Sequence, residues 1–270
     1  MAKINALVLR AAGTNCNKET EYAFSLVGIN PVSVHINQLI KNPKLLLDFQ
    51  ILAIAGGFSY GDDIGAGRLF ANEIKYKISD VFLEFINRDN LVIGICNGFQ
   101  VLVRLGILPG EMVETSANSS HRLNKFPETS ASLHWNDSQK FEDRWCHLEI
   151  PTTNNSVFLK GLNNIILPVA HAEGNFIVEN EQNAEMLEKS AQIALRYVNE
   201  TGGKATYPDN PNGSMHDIAG ISDKTGRILG LMPHPERFLH YFNSPFWSKQ
   251  SDNGEGQGLQ LFKNAASFFN

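Results

Sequence analysis

The sequence predicts an α/β protein with an open, mostly parallel β-sheet and helices on both of its faces. Two observations favour this class. Short apolar runs with the length and β-branching of buried strands recur along the chain, and several are followed by stretches with helix-like spacing. Glycine-rich turns follow two of these runs, at residues 56–61 and 94–98. Because open α/β sheets bind ligands at the carboxyl ends of their strands, these turns mark the expected functional edge.

The predicted elements alternate as such a sheet requires. In the first half we expect strands at 4–9, 31–36, 49–55 and 91–95, and helices at 18–27, 68–87 and 97–105. In the second half we expect strands at 145–150, 165–170, 176–178 and 192–198, a hairpin of 218–222 with 227–232, and a final helix at 258–269. Residues 1–270 are therefore expected to form a single domain, with 111–145 as an insertion or a long connecting loop.

Residues 94–98, Gly-Ile-Cys-Asn-Gly, form a G-x-C-x-G motif where the strand 91–95 meets the helix 97–105. This pattern is typical of a nucleophile elbow, a turn so sharp that the residues two positions either side of its tip are glycines. A thiol at a helix N-terminus lies at the positive end of the helix dipole, which favours the reactive thiolate. A free cysteine is more often a small buried hydrophobic residue, but the paired glycines favour Cys96 as a nucleophile.

Three further residues are predicted to hold a substrate around Cys96. The N–H of Asn97 is unpaired in the first helical turn and can stabilise an oxyanion. Gln100 lies four residues after Cys96, on the same helix face. Gly57 is the candidate second oxyanion donor, because a glycine just after a buried strand lets a backbone N–H approach a ligand. The alternative for the loop around Gly57 is a flexible surface connection, but its place at a strand end favours the site.

A cysteine nucleophile usually needs a histidine base and a third group that orients the imidazole. His234 and Glu236 stand in a His-Pro-Glu sequence directly after a predicted strand. Pro235 should hold both side chains on one side of an extended segment. We therefore predict His234 as the base and Glu236 as its orienting carboxylate. His171, in His-Ala-Glu, also follows a strand and stays the alternative base.

Composition argues against several classes of function. The net charge of −5 comes without a basic stripe, so nucleic acid is not an expected partner. No segment approaches the roughly 18 continuous apolar residues of a membrane span, so no membrane partner is expected. Three widely spaced cysteines fit neither a disulfide framework nor a zinc pattern, and no metal site is predicted. A reducing compartment suits such cysteines best, so we expect the protein in the cytoplasm.

The motifs GGFSYGD, GICNGFQ, HAEG, NPNGS and MPHPER together resemble class I glutamine amidotransferases, which have a flavodoxin-like fold with a cysteine elbow. More narrowly, they resemble the glutaminase family of phosphoribosylformylglycinamidine synthases, which act in purine biosynthesis. The resemblance implies that the Cys/His/Glu triad predicted above hydrolyses glutamine through a γ-glutamyl thioester on Cys96. It also implies that Gly57 and Asn97 form the oxyanion hole and that Gln100 contacts the bound glutamine.

The same resemblance implies the partners. Glutamine is the expected substrate, and its ammonia would pass to a synthetase subunit; a further candidate partner is a small accessory subunit. This chain would carry no cofactor, since ATP and Mg are expected on the synthetase, where formylglycinamide ribonucleotide becomes formylglycinamidine ribonucleotide. Two alternatives stay open: an amidotransferase that serves another synthetase, and a non-catalytic regulatory module on the same fold.

Overall fold

The structure is a computed structural model that describes residues 3–110, 122–249 and 254–270. The strands in these residues are β1 (Asn5–Arg10), β2 (Asn30–His35), β3 (Ile51–Ile54), β4 (Leu91–Ile95), β5 (Ala131–His134), β6 (Glu142–Glu149), β7 (Asn164–His171), β8 (Asn175–Val178), β9 (Ile193–Val198), β10 (Ile218–Ser222) and β11 (Ile228–Leu231). The helices are α1 (Asn17–Leu26), α2 (Ile36–Lys41), α3 (Arg68–Lys77), α4 (Ser79–Ile86), α5 (Asn97–Arg104), α6 (Glu181–Lys189) and α7 (Leu259–Phe268).

Nine strands form one mixed sheet in the order β2-β1-β3-β4-β11-β10-β9-β6-β7. The first five are parallel neighbours. Beyond β11 each neighbouring pair is antiparallel, so β10 and β6 run against the other seven strands. β5 and β8 form a separate antiparallel pair. The prediction of an α/β fold with an open, mostly parallel sheet flanked by helices is confirmed.

The central strands are buried along their whole length. Every residue of β3, β4 and β11 is buried. Helices on both faces of a parallel sheet bury its strands completely. This burial explains why these strands are continuous apolar runs in the sequence. In the sheet Ile54 lies opposite Gly94, and Leu231 lies opposite Ile95. The carboxyl ends of the three strands therefore meet at one edge.

The helices that cover the sheet include the predicted last one. Leu259, Leu261 and Phe262 of α7 are buried, and the Phe262 ring meets that of Phe24 in α1 edge to face, with centroids 5.0 Å apart. Such pairs add packing energy beyond the burial of their area. Among the described residues, no helix combines the length and the apolar character needed to cross a membrane.

Some helices differ from the prediction. The single helix expected at 68–87 is two helices, α3 and α4, separated at Ile78, whose φ of −138° is not helical. No glycine or proline marks this break in the sequence. The short helix α2 was not predicted, and neither was α6, although the Asn180 side chain caps α6 by accepting from the N–H of Asn183.

Part of the stretch 111–145 has regular structure. Residues 111–121 lie outside the described residues. Residues 131–134 form β5, which pairs with β8, and β6 already begins at Glu142. The single-domain expectation for 1–270 remains a prediction.

Helix α5 packs against the sheet at Gly98 with no room for a side chain. A Cβ atom on Gly98 would lie 1.9 Å from the carbonyl oxygen of Ile54 in β3. This approach of two backbones places the start of α5 directly over the end of β3. A larger residue would push the helix away from the strand.

We predict that Gly98→Ala lowers the free energy of unfolding by about 3 kcal/mol, the upper end of ordinary overpacking losses. Urea denaturation measures this loss. Gly28→Ala is the matched control: Gly28 has φ +79°, and no atom lies within 4 Å of the place that an added methyl group would take, so only backbone strain of about 1 kcal/mol is expected. Equal losses in the two variants would contradict the packing argument.

Candidate active site

The Cys96 elbow has the strained geometry that its sequence predicts. Cys96 links β4 to α5 with φ 52° and ψ −106°, a conformation that residues with a side chain rarely adopt. Its N–H donates to the carbonyl oxygen of Leu231 at 2.8 Å. A Cβ on Gly94 would lie 2.6 Å from the carbonyl oxygen of Gly98, so both flanking glycines are required. The predicted cysteine elbow is confirmed as a feature of the fold.

The loop after β3 directs Gly57 towards this elbow. Gly57 pairs with Thr14 in an antiparallel bridge, and the hydrogen bonds of the bridge are made by neighbouring residues. Gly57 is therefore in a non-hydrogen-bonded position, where its own N–H points away from the segment around Thr14. Since β3 lies between β1 and β4, that direction is towards Cys96. This geometry supports Gly57 as the second oxyanion donor, which stays a prediction.

His234 and Glu236 form a buried pair beside the elbow. Nδ1 of His234 lies 2.7 Å from Oε1 of Glu236, and both residues are almost fully buried. The segment is not extended as predicted: residues 235–237 form a turn of 3-10 helix. The N–H of His234 donates to the carbonyl oxygen of Pro168 at 2.8 Å, and a Cβ on Gly56 would lie 3.0 Å from Cε1 of His234. The imidazole is thus held between β7 and the loop after β3.

The surroundings of His234 favour its protonated form. Burial disfavours the charged imidazolium, but the Glu236 carboxylate, the Cys96 thiol and the Cys16 thiol together outweigh burial and raise the pKa of His234 well above its ordinary value. The Cys96 thiol donates to the carbonyl oxygen of Ala170 at 3.7 Å. Nε2 of His234 is buried without a hydrogen-bond partner among the described residues. That nitrogen can exchange a proton with a substrate held at Cys96.

His171, the alternative base, has the opposite electrostatics. Its Nδ1 lies 3.1 Å from Oδ1 of Asn136. Burial, followed by the charge of His234, lowers the pKa of His171 to about 3. His171 is therefore neutral near pH 7 and cannot hold the imidazolium that stabilises a thiolate. This difference supports His234 as the base, and the assignment stays a prediction.

Asn97 and Gln100 belong to a hydrogen-bonded chain at the elbow helix. The Asn97 amide donates to Oε1 of Gln100 at 2.9 Å and to Oδ1 of Asp62 at 3.2 Å. The Gln100 amide donates to the backbone carbonyl oxygen of Glu173 at 2.6 Å. Gln100 is thus next to the site, but its amide is already used to position Glu173. Its predicted contact with glutamine remains a prediction.

Cys16 and Arg237 lie at the site and were not predicted to do so. Sγ of Cys16 accepts from Nη2 of Arg237 at 3.1 Å, and ligand atoms of Cys16, His234 and Glu236 lie within 4.8 Å of one another. These distances would suit a metal ion, but the neighbouring guanidinium opposes a second cation. The turn after β1 could have been suspected from its place at the functional edge. The contact of Cys16 with residues more than 200 positions later could not be predicted from the residues around Cys16.

A cysteine elbow that faces a buried His–Glu pair, at the carboxyl edge of an open α/β sheet, defines the class I glutamine amidotransferases. Residues 3–269 match the family model of the CobB/CobQ-like glutamine amidotransferase domain. The chain belongs to this family. It is therefore a glutamine amidotransferase, as the motifs predicted.

Relatives with similar sequences share nearly their whole length with the chain. It is 42% identical over 270 residues to the phosphoribosylformylglycinamidine synthase subunit PurQ of Dehalococcoides mccartyi, covering 99% of this chain and 98% of that protein. It is 41% identical to the PurQ subunit of Methanococcus maripaludis, and this match covers 98% of this chain and 97% of that protein. Among solved structures, PurLQS from Thermotoga maritima matches with a TM-score of 0.70 and 25% identity over 100% of both chains. A putative GMP synthase protein from Thermoplasma acidophilum shares the fold, with a TM-score of 0.55 and 13% identity over 99% of this chain and 94% of that one.

The low pKa of His171 predicts a loss of stability in acid. Below pH 6.5 the unfolded chain protonates this imidazole, whereas the folded chain does so only near pH 3. Stability therefore falls as the pH falls through this window, by about 3 kcal/mol at pH 4. His234 adds no slope there, because its raised pKa leaves it protonated in both states below pH 6.5.

Urea denaturation at pH 7 and pH 4 measures the effect. The loss of stability between the two pH values should be about 3 kcal/mol smaller in His171→Gln than in the unmodified protein. Equal losses would mean that His171 is already charged in the folded chain.

The His234–Glu236 pair predicts the reactivity of Cys96. Glu236→Gln removes the carboxylate that raises the pKa of His234, so less imidazolium remains at pH 7 to stabilise the thiolate. We expect the alkylation of Cys96 by iodoacetamide, measured by mass spectrometry, to slow by about tenfold or more, because the reacting species is the thiolate that the imidazolium stabilises. Glu84→Gln is the control, since Glu84 is half exposed and pairs with Arg88. An unchanged rate in Glu236→Gln would show that Cys96 does not depend on this pair.

Proposed function

We propose that this chain is the glutaminase subunit of a phosphoribosylformylglycinamidine synthase. It hydrolyses glutamine to glutamate and ammonia and delivers the ammonia to a synthetase partner. The observation that carries the proposal is the Cys96 elbow beside the His234–Glu236 pair, in a chain about 40% identical over nearly its full length to PurQ subunits. The sequence identity to PurQ subunits indicates which synthase uses the ammonia, and the residues of the site indicate how the ammonia is released.

The first half of the reaction forms a thioester. The Cys96 thiolate attacks the carboxamide carbon of glutamine, and the carbonyl oxygen takes the negative charge between the N–H groups of Gly57 and Asn97. The His234 imidazolium gives its proton to the amide nitrogen, which leaves as ammonia when the C–N bond breaks. Glu236 holds the imidazole through Nδ1, so that Nε2 carries out the transfer. A γ-glutamyl thioester remains on Cys96.

The second half releases glutamate. His234, now neutral, takes a proton from a water molecule that attacks the thioester carbon. The same two N–H groups stabilise the second tetrahedral intermediate, and the C–S bond breaks to restore the Cys96 thiolate. The raised pKa of His234 keeps its imidazole protonated for the next cycle.

The partner supplies the rest of the synthesis. In this proposal the ammonia reacts on a synthetase subunit, where ATP and Mg activate formylglycinamide ribonucleotide for conversion to formylglycinamidine ribonucleotide. The likeness to a chain of PurLQS supports assembly with such a subunit, and also with a small accessory subunit. Three free, buried cysteines are consistent with the cytoplasm as the place of action.

Neither alternative function has comparable support. The putative GMP synthase protein is only 13% identical, so it shares the fold and gives no evidence for a shared acceptor. A non-catalytic module would have no need for a strained cysteine beside a buried His–Glu pair, because such strain persists mainly where function requires it.

Cys96→Ala separates the two activities of the complex. With the synthetase partner present, we expect the variant to lose glutamine-supported formylglycinamidine ribonucleotide synthesis, while synthesis from added ammonium chloride continues. Product formation by chromatography measures both. Cys146→Ala is the control, since burial raises the pKa of the Cys146 thiol to about 12 and excludes a nucleophilic role. Loss of both activities in Cys96→Ala, or glutamine-supported synthesis that survives, would refute the assignment.

A further inference from the structure

His171 is a buried polar residue that the reaction steps above do not use. It is the last residue of β7, and β7 runs parallel to β4, so His171 lies at the same carboxyl edge of the sheet as Cys96. The carbonyl oxygen of its neighbour Ala170 accepts from the Cys96 thiol at 3.7 Å. His171 is 2% exposed, and its Nε2 has no hydrogen-bond partner among the described residues. Buried polar atoms are nearly always hydrogen-bonded, so this nitrogen points to a partner that binds during the reaction.

Asn136 determines which nitrogen of His171 carries the hydrogen. The Asn136 amide group donates to the carbonyl oxygens of Lys140 at 2.9 Å and of His171 at 2.8 Å. Because carbonyl oxygens only accept, these two bonds fix the orientation of the amide and leave Oδ1 as the acceptor. This Oδ1 accepts the N–H of Gly174 at 3.0 Å and lies 3.1 Å from Nδ1 of His171. Nδ1 therefore carries the hydrogen of the neutral imidazole, and Nε2 has a free lone pair.

The His171 ring is held in place and stays neutral. Asn136, which is fully buried, holds the ring through Nδ1. Gly174 lies against the ring, since an added Cβ on this glycine would be 2.3 Å from Cε1 and 2.8 Å from Nε2 of His171. Burial, followed by the charge of His234, lowers the pKa of His171 to about 3. Nε2 of His171 is therefore a fixed hydrogen-bond acceptor at pH 7.

The attacking water of the second half-reaction is a donor that suits this acceptor. Nε2 of His234, like Nε2 of His171, is buried without a partner among the described residues, and the charge of His234 acts on His171. Buried waters typically bridge polar groups that are otherwise unsatisfied. A water molecule has two O–H groups, and neutral His234 accepts only one of them. The other needs an acceptor that does not itself take the proton.

We propose that Nε2 of His171 accepts a hydrogen bond from the water molecule that hydrolyses the γ-glutamyl thioester, which makes His171 a further catalytic residue. His234 takes one proton of this water, and the oxygen forms a bond to the thioester carbon. The second hydrogen stays on that oxygen and is directed at His171. The C–S bond then breaks and releases the Cys96 thiolate and the γ-carboxyl group of glutamate. The inference rests on the glutaminase function proposed above and adds how the water is oriented.

His171→Asn tests this role, because asparagine keeps a donor for Asn136 in place of Nδ1 and lacks the acceptor in place of Nε2. In the reconstituted complex, kcat for glutamine hydrolysis should fall about 100-fold, the cost of misplacing a reacting group by about 1 Å. kcat/KM should stay within about threefold, because it reports only the steps up to ammonia release, in which His234 supplies the proton. Mass spectrometry after an acid quench should find most of Cys96 as the γ-glutamyl thioester.

His171→Gln separates the catalytic role from a structural one. Glutamine places an acceptor oxygen near the position of Nε2 and gives up the contact with Asn136. The proposal therefore expects His171→Gln to turn over faster than His171→Asn and to accumulate less thioester. A residue that only holds the loop 171–174 would give the reverse order, and kcat/KM would fall together with kcat. That result, or equal turnover without thioester in both variants, would overturn the proposal.

His134→Asn is the matched control. His134 is an exposed histidine at the end of β5, two residues before Asn136. Its replacement should leave kcat, KM and the thioester content unchanged.

The outcome is separable from the glutaminase assignment. Cys96→Ala tests the nucleophile and does not depend on His171. Glutamine turnover that requires Cys96, without accumulation of the thioester in His171→Asn, overturns the role of His171 and leaves the function intact. Turnover that survives in Cys96→Ala overturns the function itself.

Discussion

The structure depends on one close approach of two backbones, that of α5 to β3 at Gly98. Because neither Gly94 nor Gly98 has a side chain, the turn between β4 and α5 closes tightly and holds Cys96 in a strained conformation at the carboxyl edge of the sheet. The same contact fixes the distance from Cys96 to the loop that carries Gly57. Strain of this kind is retained only where the surrounding structure determines it, and here buried strands lie on both sides of the elbow.

Two buried histidines near the elbow show how surroundings alone shift the pKa of the same side chain in opposite directions. Both lose solvation, which disfavours the imidazolium. Glu236 and two thiols compensate His234 and raise its pKa, whereas His171 faces the neutral amide of Asn136 and the positive charge of His234, and its pKa falls. One imidazole is therefore charged near pH 7 and the other neutral. Their sequence contexts, His-Pro-Glu and His-Ala-Glu, differ too little to give this result.

What could be predicted from the sequence was local or periodic. The buried strands, the elbow and the pairing of His234 with Glu236 each depend on residues a few positions apart, and the structure contains all three. The break at Ile78 could not be foreseen, because no glycine or proline marks it. The contacts of Cys16 depend on strand order, which brings the ends of β1, β3 and β11 to one edge although they are far apart in sequence.

The loop between β3 and α3 connects the end of β3 to the elbow helix. It begins with Gly57, the proposed second oxyanion donor, and it contacts the elbow helix α5 through Asp62, which accepts from the Asn97 amide, and through Ala66, whose carbonyl oxygen accepts from Arg104. A displacement of α5 would therefore also move the short segment that carries Gly57. The nucleophile and the proposed donor are thus fixed relative to each other before a substrate binds, which is the positioning that acyl transfer needs.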